Sequence, residues 1–118
     1  MSVRYVSLPP REAFRVIEDG LTNGAFSAEL ITSHIPRPQK AGDVESVVGV
    51  FEKYTVRTGT RMTLTVLCSP AGKTDTEVFF VAGGASGSVF GLFDLGAGDS
   101  FEKALTDVIE PYLCRESE

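Results

Sequence analysis

The segment around Thr58-Gly59-Thr60 constrains the fold of this chain more than any other. On its incoming side Val50, Tyr54 and Val56 fall at even positions, and on its outgoing side Met62, Leu64, Val66 and Cys68 do the same. Side chains alternate between the two faces of a sheet, so the apolar sets of two paired strands must share one face. A three-residue loop over 58–60 sets Arg57 opposite Arg61 and Tyr54 opposite Leu64, which meets that requirement. The other face then carries Lys53, Thr55, Arg57, Arg61, Thr63 and Thr65. Toward its far end this second face turns apolar, with Val47 and Phe51 on one strand and Phe79 and Val81 on another.

The remaining elements follow from periodicity and punctuation. Val3, Tyr5, Val6 and Leu8 form a short β-prone run that Pro9-Pro10 stops. Pro10 suits the first turn of a helix, where a missing N–H costs nothing. Phe14, Ile17 and Leu21 then recur at helical spacing, which predicts a helix over about 10–22 ended by Asn23-Gly24. Phe26, Ala28 and Leu30 alternate as in a half-buried strand, with His34 in phase with them. A loop with Pro36, Pro38 and Gly42 follows, and then a long strand over about 44–57. Val78 to Val81 read as a further strand, and residues 89–95 as a sixth or as a segment packed beside the sheet. Gly96-Ala97-Gly98 is expected to end that segment. Phe101, Leu105, Val108, Ile109 and Tyr112 mark a final helix. Asp99 and Glu102 have the spacing of a capping box, and Pro111 should loosen the last turn.

The expected order is β-α-β-β-β-β-(β)-α in one α+β domain over 1–118. Short hairpin loops imply an antiparallel sheet of five to six strands, with both helices on one face. By analogy this order is similar to TATA-binding-protein-like and Bet v 1-like topologies, a likeness that carries no activity.

Composition removes function classes. The 118 residues are 42% hydrophobic and 23% charged, a globular balance that excludes wholesale disorder. No apolar run approaches the roughly 20 residues of a membrane helix. Eleven basic residues face sixteen acidic ones, and a net charge of −5 disfavours nucleic acid as a partner. The start of the chain lacks the apolar run of a signal peptide, so the cytoplasm is the expected location. Two widely separated cysteines, Cys68 and Cys114, read as reduced thiols in that compartment.

Catalytic and metal motifs fail one by one. Gly72-Lys73-Thr74 lacks the earlier glycine and the following helix of a phosphate-binding loop, and reads as a β-turn. Gly83-Gly84-Ala85-Ser86-Gly87 has the wrong spacing for dinucleotide binding and reads as a loop or bulge. His34 is the only histidine, with no nucleophile or orienting partner nearby in sequence. One histidine and two distant cysteines do not make a zinc site. Asp94 and Asp99 flank the second glycine-rich stretch and read as loop and cap residues. No catalytic residue, metal or cofactor is expected, and the reading leans away from an enzyme.

Three readings of function follow. The first is a non-enzymatic interaction module that forms a homodimer through Val47, Phe51, Phe79 and Val81, because an exposed apolar cluster on a small protein marks an interface. The second is a small molecule held between sheet and helices by Phe14, Tyr54, Phe80, Phe90 and Phe101. The third is an anion or nucleic acid on the basic face of Lys53, Arg57 and Arg61.

Three further runs carry a resemblance. Ile17 to Gly24 (IEDGLTNG), Phe51-Glu52-Lys53-Tyr54 before a glycine hairpin, and Gly83-Gly84 leading to Ser88-Val89-Phe90 and a last helix resemble domain of unknown function family 6054. The resemblance implies a single cytosolic bacterial domain and transfers no catalytic residue.

Overall fold

The first strand and the segment after the last helix meet at one edge of an antiparallel sheet. The structure is a computed structural model, and residues 2–37, 40, 42, 44–56, 59–85 and 95–114 are described, without the side chains of 85 and 95–99. Its elements are β1 (Ser2–Val6), α1 (Pro10–Asn23), β2 (Glu29–His34), β3 (Val47–Thr55), β4 (Thr60–Ala71), β5 (Asp75–Ala85) and α2 (Leu95–Ile109), followed by a 3-10 turn over Glu110–Tyr112. The five strands lie in the order β1-β5-β4-β3-β2, and every neighbouring pair is antiparallel. The expected α+β class and antiparallel sheet are therefore present. The proposed sixth strand over 89–95 falls mostly outside the described residues.

The hairpin differs from the sequence reading in its register. Thr55 pairs with Thr60, and Phe51, not Tyr54, lies opposite Leu64. The loop is thus one residue longer, with Gly59 at φ +66° and its N–H bonded to the Val56 carbonyl. Odd positions of β3 now share a face with even positions of β4. Val47 and Phe51 enter the core, while Tyr54 and Val56 are exposed. The physical reason lies in β3 itself: Val47, Val48, Val50 and Phe51 are apolar on both phases, so alternation alone does not choose between them. Burying Phe51 removes more apolar surface than burying Tyr54, whose hydroxyl would also need a partner.

Both helices pack on this inner face. Ala13, Phe14, Ile17 and Leu21 of α1 and Phe101, Leu105 and Ile109 of α2 join Phe51, Leu64, Val66, Cys68, Val78 and Phe80 of the sheet in one cluster. Phe14 meets Phe51 with ring centroids 5.8 Å apart. The Phe14 ring also fills the space above Gly49, where any β-carbon would overlap it. Gly20 plays the same part between the helices, because a β-carbon there would lie 2.6 Å from the Val108 methyls.

The ends of α2 also depart from expectation. The helix starts at Leu95, so Gly96-Ala97-Gly98 lies within its first turns and Asp99 is not its N-cap. Pro111 does mark its end, since α2 stops at Ile109 and the 3-10 turn follows. Cys114 lies beyond the helix and donates its backbone N–H to the Tyr5 carbonyl, 2.8 Å away. Glu102, freed from a capping role, reaches the sheet instead. Its carboxylate accepts the Ser2 hydroxyl at 3.0 Å and the Ala82 N–H at 3.1 Å.

Two expectations follow. Gly49→Ala should lower stability by about 1–3 kcal/mol, because the added carbon displaces a buried ring. Urea unfolding measures this, and adding Phe14→Leu should recover part of the loss. Partial burial alone would raise the Glu102 carboxyl, but a nearby positive charge and the Ala82 and Ser2 hydrogen bonds outweigh it and hold it below its ordinary value. A lowered folded-state value stabilises above the unfolded value and is lost as pH falls through the folded one. Stability should therefore drop below about pH 4.5, and Glu102→Gln should flatten that part of a pH series of unfolding midpoints.

Candidate functional site

The helices leave one face of the sheet uncovered among the described elements, and the strand registers define its surface as rows running across the strands. One row reads Val3, Phe79, Leu67, Val48, His34 from β1 to β2. The next reads Val81, Thr65, Val50, Thr32. These two rows are adjacent and contain no carboxylate, lysine or arginine. Six apolar side chains meet there, with Phe79 and Leu67 at the centre. Val3 is 40% exposed, and Val48, Val50, Leu67, Phe79 and Val81 are half-buried.

Polar rows frame this patch. On one side lie Tyr5, Glu77 and Ser69, with the Tyr5 hydroxyl donating to Glu77 at 3.2 Å. On the other lie Gly83, Thr63, Glu52 and Glu29, then Arg61 beside Tyr54. Arg61 pairs with Glu52 at 3.5 Å and lies 5.3 Å from the Tyr54 ring centroid. Gly84 is required beneath Arg61, because a β-carbon there would sit 2.7 Å from the Arg61 carbonyl oxygen. The glycine pair expected to form a loop or bulge is instead part of β5.

The structure redistributes the site residues expected from sequence. Of the four interface residues, Phe79 and Val81 lie on the open face, whereas Val47 and Phe51 are 4% and 0% exposed beneath the helices. The shifted register supplies Val48 and Val50 in their place. Phe14, Phe80 and Phe101 of the expected pocket are buried core residues, and Tyr54 stands half exposed on the opposite face. Phe90 lies outside the described residues. The three aromatic rings fill the core by packing instead of lining one cavity together with Tyr54.

The basic cluster also separates. Lys53 points to the helix side, where its ammonium donates to the Phe26 carbonyl and lies 4.8 Å from the Phe26 ring centroid. Phe26 in turn packs on Phe101 at 4.9 Å. Arg61 is on the other face, and Arg57 lies outside the described residues. Val3, Leu67, Val48 and Val50 are what sequence reasoning missed. For Val48 and Val50 the signal was the second apolar phase of β3, which a four-residue hairpin loop turns outward.

The remaining chemistry-bearing residues are placed plainly. His34 is the exposed last residue of β2, facing Val48 across the ladder. A bulge between Leu30 and Thr32 takes it out of phase with the inward-facing Leu30. Gly72-Lys73-Thr74 forms a turn between β4 and β5, with Gly72 at φ +66°. Cys68 and Cys114 are both free. Burial pushes the Cys68 thiol up to about 12. Asp94 and the Asp99 side chain lie outside the description.

A family model matches residues 2–113, nearly the full length. The chain belongs to DUF6054, a family of unknown function. The DUF6054 match runs from the first residue of β1 to Leu113, whose bridge to Val6 covers the end of that strand. No curated protein and no solved structure matched the chain, so the topological analogies drawn from element order gain no support.

The cysteines offer a direct check on this geometry. A thiolate is the reactive form, so a buried thiol with a raised pKa is inert. Alkylation of the folded protein at pH 8 should modify Cys114 first and leave Cys68 untouched until denaturant is added. Rapid labelling of Cys68 in the native protein would contradict its placement under the helices.

Proposed function

We propose that this DUF6054 protein is a non-enzymatic interaction module that forms a homodimer in the cytoplasm by packing the open faces of two sheets together. The observation that carries this reading is the pair of adjacent uncharged rows centred on Phe79 and Leu67. Sheets pack face to face at about 10 Å through such surfaces. With strands about 4.8 Å apart and rows about 6.7 Å apart, the two uncharged rows cover roughly 300 Å² per copy, and the polar rows that frame them bring the face to roughly 600 Å². That area approaches the roughly 800 Å² per partner of a standard stable interface. Half-buried valines surrounded by threonine and tyrosine also suit the apolar centre and polar rim of such contacts.

Face-to-face packing fits better than pairing of sheet edges. The β1 edge is already engaged by the bridge from Val6 to Leu113 and by the Cys114 N–H. The β2 edge carries a bulge, a device that interrupts continuous pairing. Cys68 and His34 suit this reading as well, one buried with a raised pKa and the other exposed at a strand end. No helix among the described residues is long and apolar enough to cross a membrane.

Native mass spectrometry and light scattering test the proposal. The parent protein should have twice the chain mass at micromolar concentration. Phe79→Asp and Leu67→Asp should each give a folded monomer, because both positions lie outside the core. Phe51→Asp should instead unfold the protein. A monomeric parent, or full retention of the dimer in both face variants, overturns this assignment.

A further inference from the structure

A second surface feature lies on the helix side, away from the open face. A groove of about 200 Å³ runs between the first half of α1 and the end of edge strand β2. Its wall on the helix is formed by Arg11, Phe14 and Arg15, and its other wall and floor by Ser33, Ile35 and Val47. The helix residues stand three and four positions apart, so they share one face. Phe14 and Val47 are nearly buried and form an apolar base, while Ile35 remains 39% exposed above them. Cationic groups therefore overhang an apolar floor, an arrangement with more chemistry than either feature alone.

The two arginines are not equivalent. Arg11 is held by Glu45, with Nη2 to Oε1 at 2.6 Å. That pair fixes the segment just before β3 against α1 and shapes the rim. Arg15 has no ion pair or hydrogen bond within the described structure, and the Ser33 hydroxyl has none either. A guanidinium is planar and matches a carboxylate through two parallel hydrogen bonds. Glu18 stands three residues beyond Arg15 on the same face of α1 and completes the lining of the groove. Its charge disfavours a ligand carrying a second negative group there.

We propose that this groove is a binding site for a small organic monocarboxylate with an apolar body. The carboxylate pairs with Arg15 and accepts a hydrogen bond from Ser33. The body lies on Phe14, Val47 and Ile35 and leads toward Glu18. The volume is below that of sites that enclose a drug-sized ligand, which suits a chain of a few carbons or one ring. This site relocates small-molecule recognition from the sheet–helix interior to the α1–β2 flank, and it stands independently of the homodimer.

Amide chemical shifts of the isotopically labelled full chain test it, with hexanoate, hexanedioate and 1-hexanol as probes. Hexanoate should shift the amides of Arg15, Ser33 and Val47 in a saturable manner. Hexanedioate and hexanol should each bind more weakly, the first because of Glu18 and the second because it lacks charge. Arg15→Gln should weaken hexanoate about tenfold, the worth of one charged hydrogen-bonded pair. Arg15→Lys should retain part of that affinity, and Arg61→Gln should leave it unchanged. Arg15 is exposed, so its variants keep the fold, and the unperturbed amides of the sheet confirm this in the same spectra. Absence of saturable shifts, equal affinity in Arg15→Gln, or equal affinity for hexanol overturns the site.

Discussion

The pairing of β3 with β4 decides what every other element can do. These are the central hairpin strands, and their register turns Phe51 toward Leu64 and the helices. Once Phe51 lies inside, Val48 and Val50 must lie outside, because neighbouring side chains on a strand point in opposite directions. The core, the open apolar rows and the position of Lys53 all descend from that one choice. A slip by one residue would exchange the two faces of β3 wholesale and leave the helices resting on Val48, Val50 and Glu52.

The helices then lock the chosen face through size complementarity. Gly49 gives way to Phe14, and Gly20 gives way to Val108. Each contact joins a large side chain to an absent one, so neither helix can shift along its partner without losing its seat. Phe26 extends the same logic to the sheet's end. It lies between Phe101 and the Lys53 ammonium, so an inward-pointing lysine finds both a carbonyl and an aromatic face. The lysine stem covers apolar surface while its charge stays satisfied.

Much of the architecture was legible from residue order, and the candidate surface was legible only in part. The spacing of Phe14, Ile17 and Leu21 marks α1, and Phe101, Leu105 and Ile109 mark the buried stripe of α2. Alternation in β4 is clean, with Met62, Leu64, Val66 and Cys68 all buried. β3 offered no such contrast, so its inner face could not be chosen without knowing the loop length. Phe79 and Val81 were found on the open face because β5 has bulky residues in both phases and its inner partner, Phe80, was clear. The α1–β2 groove left no trace in local pattern. It joins Arg15 to Ser33 and Val47 only through tertiary packing, and β2's bulge conceals which strand residues face it.

The way β1 is secured has a consequence for how the protein comes into being. Ser2 pairs with Phe80, and Tyr5 receives the N–H of Cys114. Strand β1 therefore has no neighbour until β5 exists, and its outer edge stays bare until the segment after α2 has emerged. Loop closure over such separations slows folding and leaves strand edges unprotected meanwhile. The β2–β3–β4 meander can assemble as it is synthesised, but the sheet can be completed only once β5 and the segment after α2 have been made. Nascent β1, with Val6 uncovered and both edges unpaired, is thus a segment that depends on chaperone shielding.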